Sequence, residues 1–225
     1  MRAEPPPRTR VSLTVLVPSL VTVAASAWLA ARPGAAAAQT ALVVRLNHPA
    51  QPLASVLAVS NPFLRPVPLL VLAVALVGWV LVAAAGWAQR LECLRGLAVA
   101  VLVAELLAQA LKRIVDQPRP TAVIPGLDVH GYPQDPLGRA YPSAHTAVTV
   151  AVVAALWPWT GRPQRAAGLV VAVLVPLNRI YIGAHWPLDV VGGAAVGMVA
   201  AALCWVVAAY WPIASAQPAR PPAGV

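Results

Sequence analysis

The feature that most limits this chain is a succession of apolar runs close to 20 residues long. That is about the length at which a helix crosses the hydrocarbon core of a bilayer. The runs fall at 11–31, 67–88, 94–111, 144–160, 166–182 and 188–211. Hydrophobic residues make up 60% of the 225 and charged residues 10%, while 24 prolines sit chiefly between the runs. Such a chain has too little polar surface to dissolve as a globule. In a bilayer each backbone polar group must be paired within its own segment, so the expected fold is all-α, a six-transmembrane-helix bundle. The runs at 144–160 and 166–182 are short, and each has a polar end. The first run is followed by the small residues of "ARPGAAAAQTA", as a cleaved signal would be. Its apolar core exceeds the roughly 7–15 residues of a signal, which favours a retained helix.

Around this bundle, expected over 11–211, lie a basic leader (1–10) and a tail rich in Pro and Ala (212–225), both expected to be disordered. Residues 39–66 are moderately apolar and broken by prolines, which suggests an interfacial helix and loop, with His48 a polar residue without chemistry. The net charge of +9 is spread over every loop. Nucleic-acid binding would need it gathered with aromatics on one soluble face, so membrane lipids are the expected surroundings. Two cysteines make no disulfide framework, and nothing in the sequence speaks to oligomeric state. The high Ala, Val and Pro content fits a GC-rich bacterial genome, hence an inner-membrane location. Loop charges balance between the two orientations. If Lys112, Arg119 and Arg179 are reserved for a site, the remainder favours an inside N-terminus and an extracytoplasmic site.

Polar residues gather in few places. The long connection 112–143 opens with "KRIVDQPRP" and closes with "YPSAHT", and a loop of this length in a compact protein usually has a task. Between the last two runs stands "NRIYIGAHWPLDVV" (178–191). Counting spans alternately brings both segments to one membrane face, whichever way the protein is inserted.

Lys112, Arg119 and Arg179 then form three cations near one place, which calls for an anion. A guanidinium fork matches phosphate oxygens, and Lys adds a point charge. Pro142-Ser143 suits a helix start that would leave the N–H groups of Ala144 and His145 free for the same anion. Pro187 suits a first helical turn, so Asp189 lies one turn beyond His185 on the same face. A carboxylate on one ring nitrogen fixes the tautomer and leaves the other free to attack. His145, beside the anion-binding turn, is suited to protonate a leaving oxygen. These are the parts of a phosphoryl transfer through a phosphohistidine. His145, His185 and Asp189 would also make three zinc ligands, but three cations beside them oppose a dication, and no metal is expected. Interfacial anchoring explains any one of these residues cheaply, though not their gathering on one face.

The pattern K-x6-R-P, P-S-x-H and R-x5-H-x3-D, carried by Lys112, Arg119 and Pro120, then Pro142, Ser143 and His145, then Arg179, His185 and Asp189, resembles the phosphatidic acid phosphatase type 2 superfamily. The resemblance covers residues 112–189. It implies a metal-independent phosphatase with no cofactor, acting on a lipid phosphate or a polyprenyl diphosphate. It implies His185 as nucleophile, Asp189 as its partner and His145 as acid, with phosphate contacts from Lys112, Arg119, Ser143, Ala144 and Arg179. Two positions depart from the family pattern. Ala144 replaces a common Gly, and Asn178 a common Ser. Alanine donates the same N–H unless the turn needs positive φ, and Asn178 can still hydrogen-bond. A phosphotransferase built on the same site, and a lipid-headgroup binder or transporter using the cations without chemistry, are the other readings.

Glu105, Gln109, Lys112 and Asp116 form one polar stripe on the third run, and an ionisable residue inside a span is a functional candidate. A bracing role within the bundle competes equally for Glu105. Asp128, His130 and Asp135 fit a solvated loop near the entrance. "GAAVG" (193–197) puts small residues on the Asp189 face, open to close helix packing.

Overall fold

The computed structural model describes residues 7–65, 73–75, 77–79, 82, 86–131 and 138–211. The tail, most of the leader, most of the run at 67–88 and Asp135 lie outside the described residues. What is described is all-α, in chain order α1 (Pro7–Ala30), α2 (Ala35–Asn47), α3 (Leu53–Ser60), α4 (Trp87–Val115), α5 (Pro120–Val123), α6 (Ala144–Leu156), α7 (Arg162–Tyr181) and α8 (Pro187–Tyr210). Single 3-10 turns follow α3 at Asn61–Leu64 and α6 at Trp157–Trp159. Among these residues the one extended pairing is an isolated bridge from Pro118 to Arg139. Five of the apolar runs thus fall on α1, α4, α6, α7 and α8. By length and composition, Leu13–Ala30 and Pro187–Tyr210 can cross a membrane, and Leu53–Leu64 and Ala144–Trp159 are shorter apolar helices.

Local chemistry sets the helix ends. Ser143 caps α6, its Oγ accepting from the Thr146 hydroxyl at 3.0 Å and more weakly from the Thr146 N–H at 3.5 Å. After α7 the chain turns at Gly183, with φ +69; a Cβ there would meet Leu127 at 2.9 Å and Thr121 at 3.1 Å. Pro187 opens α8, and Asp189 reaches back to accept the Trp186 N–H at 2.7 Å, satisfying an orphan donor of the first turn.

Helix α8 is the centre of the bundle, packed by α1, α4 and α6. The contacting faces carry small residues at four-residue spacing: Ala100, Ala104 and Ala108 on α4, and Ala147, Ala151 and Ala155 on α6, all buried. On α8, a Cβ at Gly193 would lie 2.5 Å from the Ser143 carbonyl oxygen, and one at Gly197 2.5 Å from that of Ala147. Large side chains point the other way. Val17, Val21, Leu102, Leu106, Val170 and Val173 are each more than half exposed. This distribution, small inside and bulky apolar outside, costs free energy in water and suits hydrocarbon surroundings.

Candidate active site

Helix direction alone brings one end of each central helix together. Helix α4 ends where α6 begins, and α7 returns to the same end before α8 starts. The loops 116–143 and 182–186 therefore meet at one end of the bundle, as alternating spans require. A backbone bond from the Ser143 N–H to the Asp189 carbonyl, 2.9 Å, joins the starts of α6 and α8.

Asp189, fully buried, uses Oδ2 for both the Trp186 N–H and His185 Nδ1, the latter at 3.3 Å. That fixes the His185 ring, which is 4% exposed, and leaves Nε2 as the nitrogen not engaged by Asp189. The His185 backbone is held as well, since the N–H groups of Ala184 and His185 both donate to the Arg179 carbonyl, at 3.0 and 3.2 Å. The adjacent Trp186, wholly buried, donates Nε1–H to the Pro118 carbonyl at 2.8 Å and so ties α8 to the loop after α4. Burial, and then the positive charge of Lys112, Arg119 and Arg179, push the His185 imidazolium well below the usual histidine range. Its ring is neutral at physiological pH.

The cations reach the site by different routes. Lys112 Nζ, in the last turn of α4, donates to the carbonyls of Arg139 at 2.9 Å and Ala140 at 3.3 Å. Arg119 Nη1 donates to the Ala184 carbonyl at 3.1 Å, directly before His185. Arg179 is 1% exposed, and its Nη2 donates to the Leu64 carbonyl at 3.0 Å and to Asn178 Oδ1 at 2.9 Å. Asn178 therefore does serve by hydrogen-bonding, and its Nδ2 in turn donates to Asn61 Oδ1 at 3.1 Å.

A cavity of about 690 Å³ opens on this constellation, with Lys112, Arg119, Ala144, His145 and His185 in its wall. The N–H groups of Ala144 and His145, first in α6, have no acceptor within their own helix. Ser143, Arg179 and Asp189 are buried behind that wall. The structure thus brings all eight sequence-derived site residues to one end of the bundle, five on the cavity and three supporting them. From the polar stripe, Glu105, Gln109 and Lys112 line the cavity, whereas Asp116 caps α4 in the left-handed region (φ 46) and bonds to Arg139.

Within the segment 39–65, two asparagines brace the loops around the site. Asn47, fully buried, donates to the carbonyls of Asp128 and Tyr181, and Asn61 donates to the His130 carbonyl at 3.0 Å. His130 stacks on Tyr181 with ring centroids 3.8 Å apart, and its Nε2 meets the Asn47 carbonyl at 2.9 Å. The loop at 124–131 is thus tied to α2 and α7 through its backbone and the His130 ring, while the Asp128 side chain stays half exposed, as expected of a solvated loop. These supporting asparagines were missed from the sequence. Nothing in the stretch sets them apart, because Gln39, Arg45, His48, Gln51 and Arg65 beside them are as polar.

Known proteins resemble this chain in sequence and in fold. Residues 94–212, just over half of the chain, match the sequence profile of the PAP2 superfamily. The undecaprenyl-diphosphatase of Sulfolobus acidocaldarius is 33% identical over 108 residues, 45% of this chain and 48% of that protein. The decaprenylphosphoryl-5-phosphoribose phosphatase of Mycolicibacterium smegmatis is 36% identical over 122 residues, 52% of this chain and 62% of that protein. The matches thus span about half the length of the first relative and about three-fifths of the second. Among solved structures, Aquifex aeolicus LpxE aligns with a TM-score of 0.57 at 25% identity, over 72% of this chain and 92% of its own. A transmembrane PAP2-type phosphatidylglycerolphosphate phosphatase from Bacillus subtilis shares the fold, with a TM-score of 0.61 at 20% identity over 86% and 93% of the two chains. With its three motifs gathered at one end of an all-α bundle, and more than half its length matching one profile, the chain belongs to the PAP2 superfamily.

Proposed function

We propose that the chain is a membrane phosphatase that removes the terminal phosphoryl group of a lipid phosphate or polyprenyl diphosphate, without a metal, through a phosphohistidine on His185. The observation that carries this reading is the buried His185–Asp189 pair, opening on the same cavity as His145, Lys112 and Arg119. Neutral His185, with Nδ1–H donated to Asp189, attacks phosphorus through Nε2. The bond from phosphorus to the leaving oxygen breaks, and His145 protonates that oxygen. Water then attacks the phosphohistidine, giving a proton back to His145, and inorganic phosphate and free His185 result. Arg119, Lys112, Arg179 and the N–H groups at the start of α6 offset charge on the phosphoryl oxygens. Asn178 and Asn61 hold Arg179 in place.

A lipid substrate is supported by the valine-rich remainder of the cavity wall and by the names of the two curated relatives, both of which specify polyprenyl-linked substrates. In this reading residues 11–211 form one six-span domain in the cell membrane, with the site on the extracytoplasmic face; of the leader expected to be disordered over 1–10, residues 7–10 instead begin α1. Accessibility of tags placed at Arg2 and in the 161–165 turn, before and after permeabilisation, tests that topology; labelling of either in intact cells overturns it.

The activity is tested by phosphate release from the full chain in detergent with EDTA present, over a panel of polyprenyl diphosphates and phosphatidate-type lipids. Turnover that ignores the chelator is expected. His185→Ala should lower it by about 10⁴-fold or more, and Asp189→Asn, which disturbs the tautomer, by about 10³- to 10⁴-fold. An acid-labile, base-stable label on the protein during turnover would mark the intermediate. Abolition by EDTA, or activity retained by His185→Ala, overturns the proposal.

A further inference from the structure

The stretch 139–143, which leads from the long loop into α6, is tied to its surroundings at almost every residue. Lys112 Nζ donates to the carbonyls of Arg139 and Ala140. The Ala140 N–H donates to the Gln117 carbonyl at 2.8 Å, and the Ser143 N–H to that of Asp189. The remaining tie is a side chain. Tyr141, wholly buried, sends its ring across α8 to α1, where its hydroxyl lies 2.9 Å from Ser26 Oγ and 3.1 Å from the Val23 carbonyl oxygen. Gly192 makes that crossing possible, because a Cβ there would fall 2.5 Å from both the Tyr141 hydroxyl and its ring carbon Cε2. Helix α1 lies outside the residues 94–212 that match the family profile, yet it holds the segment that opens α6.

The hydroxyl, more than the ring, sets the position, since a phenylalanine would fill the same space. A buried hydroxyl costs free energy unless it is bonded, and among the described residues the partners of this one are both on α1. Ser26, itself buried, also bonds the Thr22 carbonyl at 2.6 Å. The two hydroxyl protons therefore run from Tyr141 to Ser26 to Thr22, or from Ser26 to Tyr141 to Val23. Either chain requires the Tyr141 oxygen at one point on α1. Residue 141 stands two places before the cap Ser143 and three before Ala144, whose N–H has no acceptor in its own helix. Movement of residue 141 would thus turn the first turn of α6, and would carry with it the Arg139 and Ala140 carbonyls that hold Lys112.

We infer that Tyr141 is a positioning residue: anchored on α1 through its hydroxyl, it fixes 139–143 so that Lys112 and the start of α6 face the reacting phosphate together. The inference rests on the phosphatase reading above. Tyr141 lies behind the cavity wall and acts through these groups.

Tyr141→Phe, which keeps the ring and removes the hydroxyl, tests it on the lipid that the full chain hydrolyses fastest. A fall in kcat of about 10- to 30-fold is expected with KM within about twofold, because misplaced groups cost more in the transition state than in the bound substrate. Ser26→Ala leaves Tyr141 the Val23 carbonyl and should lower kcat by about threefold. The double variant should fall no further than Tyr141→Phe, as two hydroxyls acting through one contact require. Amide hydrogen exchange over 139–143 should be faster in Tyr141→Phe, with the middle of α8 unchanged. Unchanged kcat, losses that multiply in the double variant, or unchanged exchange over 139–143 would each overturn the inference, as would a lowered unfolding temperature with kcat retained. Faster exchange together with no phosphate release from the unmodified protein would uphold the anchor on α1 and overturn the phosphatase reading.

Discussion

The two sides of the cavity are built on opposite plans. On one side, α6 and α8 meet through glycine and alanine, and the Ser143 N–H bonds directly to the Asp189 backbone. His185, Asp189 and the first turn of α6 are consequently held by main chain and close packing. Across the cavity, Lys112, Gln109 and Glu105 project from α4 on long side chains with greater exposure. The difference matches the demands of each side. In the proposed mechanism a nucleophile displaced by a fraction of an ångström loses its attack geometry, which a backbone-held His185 avoids. Groups that would receive a substrate headgroup in that mechanism can adjust, which long side chains allow.

Gly193→Ala breaks the rigid side most directly. Its Cβ would lie 2.5 Å from the Ser143 carbonyl oxygen, a backbone atom, so α6 and α8 must move apart where His185 and Asp189 are held. Overpacking of this kind costs about 1–3 kcal/mol, read as a lowered unfolding temperature, with a fall in kcat larger than the change in KM. Retained stability and kcat would mean the contact is softer than the packing implies.

A smaller effect is expected from Asn61→Ala, which removes the outer member of the chain of hydrogen bonds Asn61–Asn178–Arg179. Loss of about 10- to 100-fold in kcat/KM is expected, together with weaker inhibition by inorganic phosphate, because Arg179 loses its fixed direction. Asn61→Gln should recover part of it. Weakened folding with unchanged phosphate inhibition would make Asn61 merely structural.

The smallest effect is a displacement in pH. In the proposed mechanism His185 must be neutral to attack, and burial with the nearby cations holds its value below the ordinary histidine midpoint of about 6.5. The acid limb of kcat/KM therefore falls below that midpoint, with activity lost only as pH drops through the lowered value. Arg119→Gln removes one of the charges responsible and should move the limb upward, whatever it does to the maximal rate. A limb that stays put would show that burial alone depresses His185.

How far the site was legible depends on where its residues stand in the chain. Lys112, Arg119, Ser143, His145, Arg179, His185 and Asp189 are conspicuous because ionisable and polar groups are expensive among apolar runs, and their spacing follows helical turns. Ala144 came with them through its place in the motif. The same reasoning located α1, α6, α7 and α8 to within about four residues, since apolar length and proline positions mark helix ends, whereas α4 begins at Trp87, seven residues before its apolar run, through the polar turn Gln89–Glu92. Asn47 and Asn61 stayed hidden because a neutral amide costs little to place at an interface. Their partners, Asp128, His130, Tyr181 and Asn178, lie 69 to 134 residues away.

Apolar patterning and helix-end chemistry by themselves determined that this chain is a bundle of helices with its charged motifs at one end. These are local properties, summed along the sequence. Only the tertiary structure decided which polar residues share a surface. It put Glu105 and Gln109 on the cavity with the histidines while Asp116, on the same stripe, turned away to cap α4 and meet Arg139. It also drew the segment at 39–66 in behind Arg179. Both outcomes depend on how closely helices approach, which is set by contacts between residues far apart in the chain and by the absence of side chains at Gly193 and Gly197.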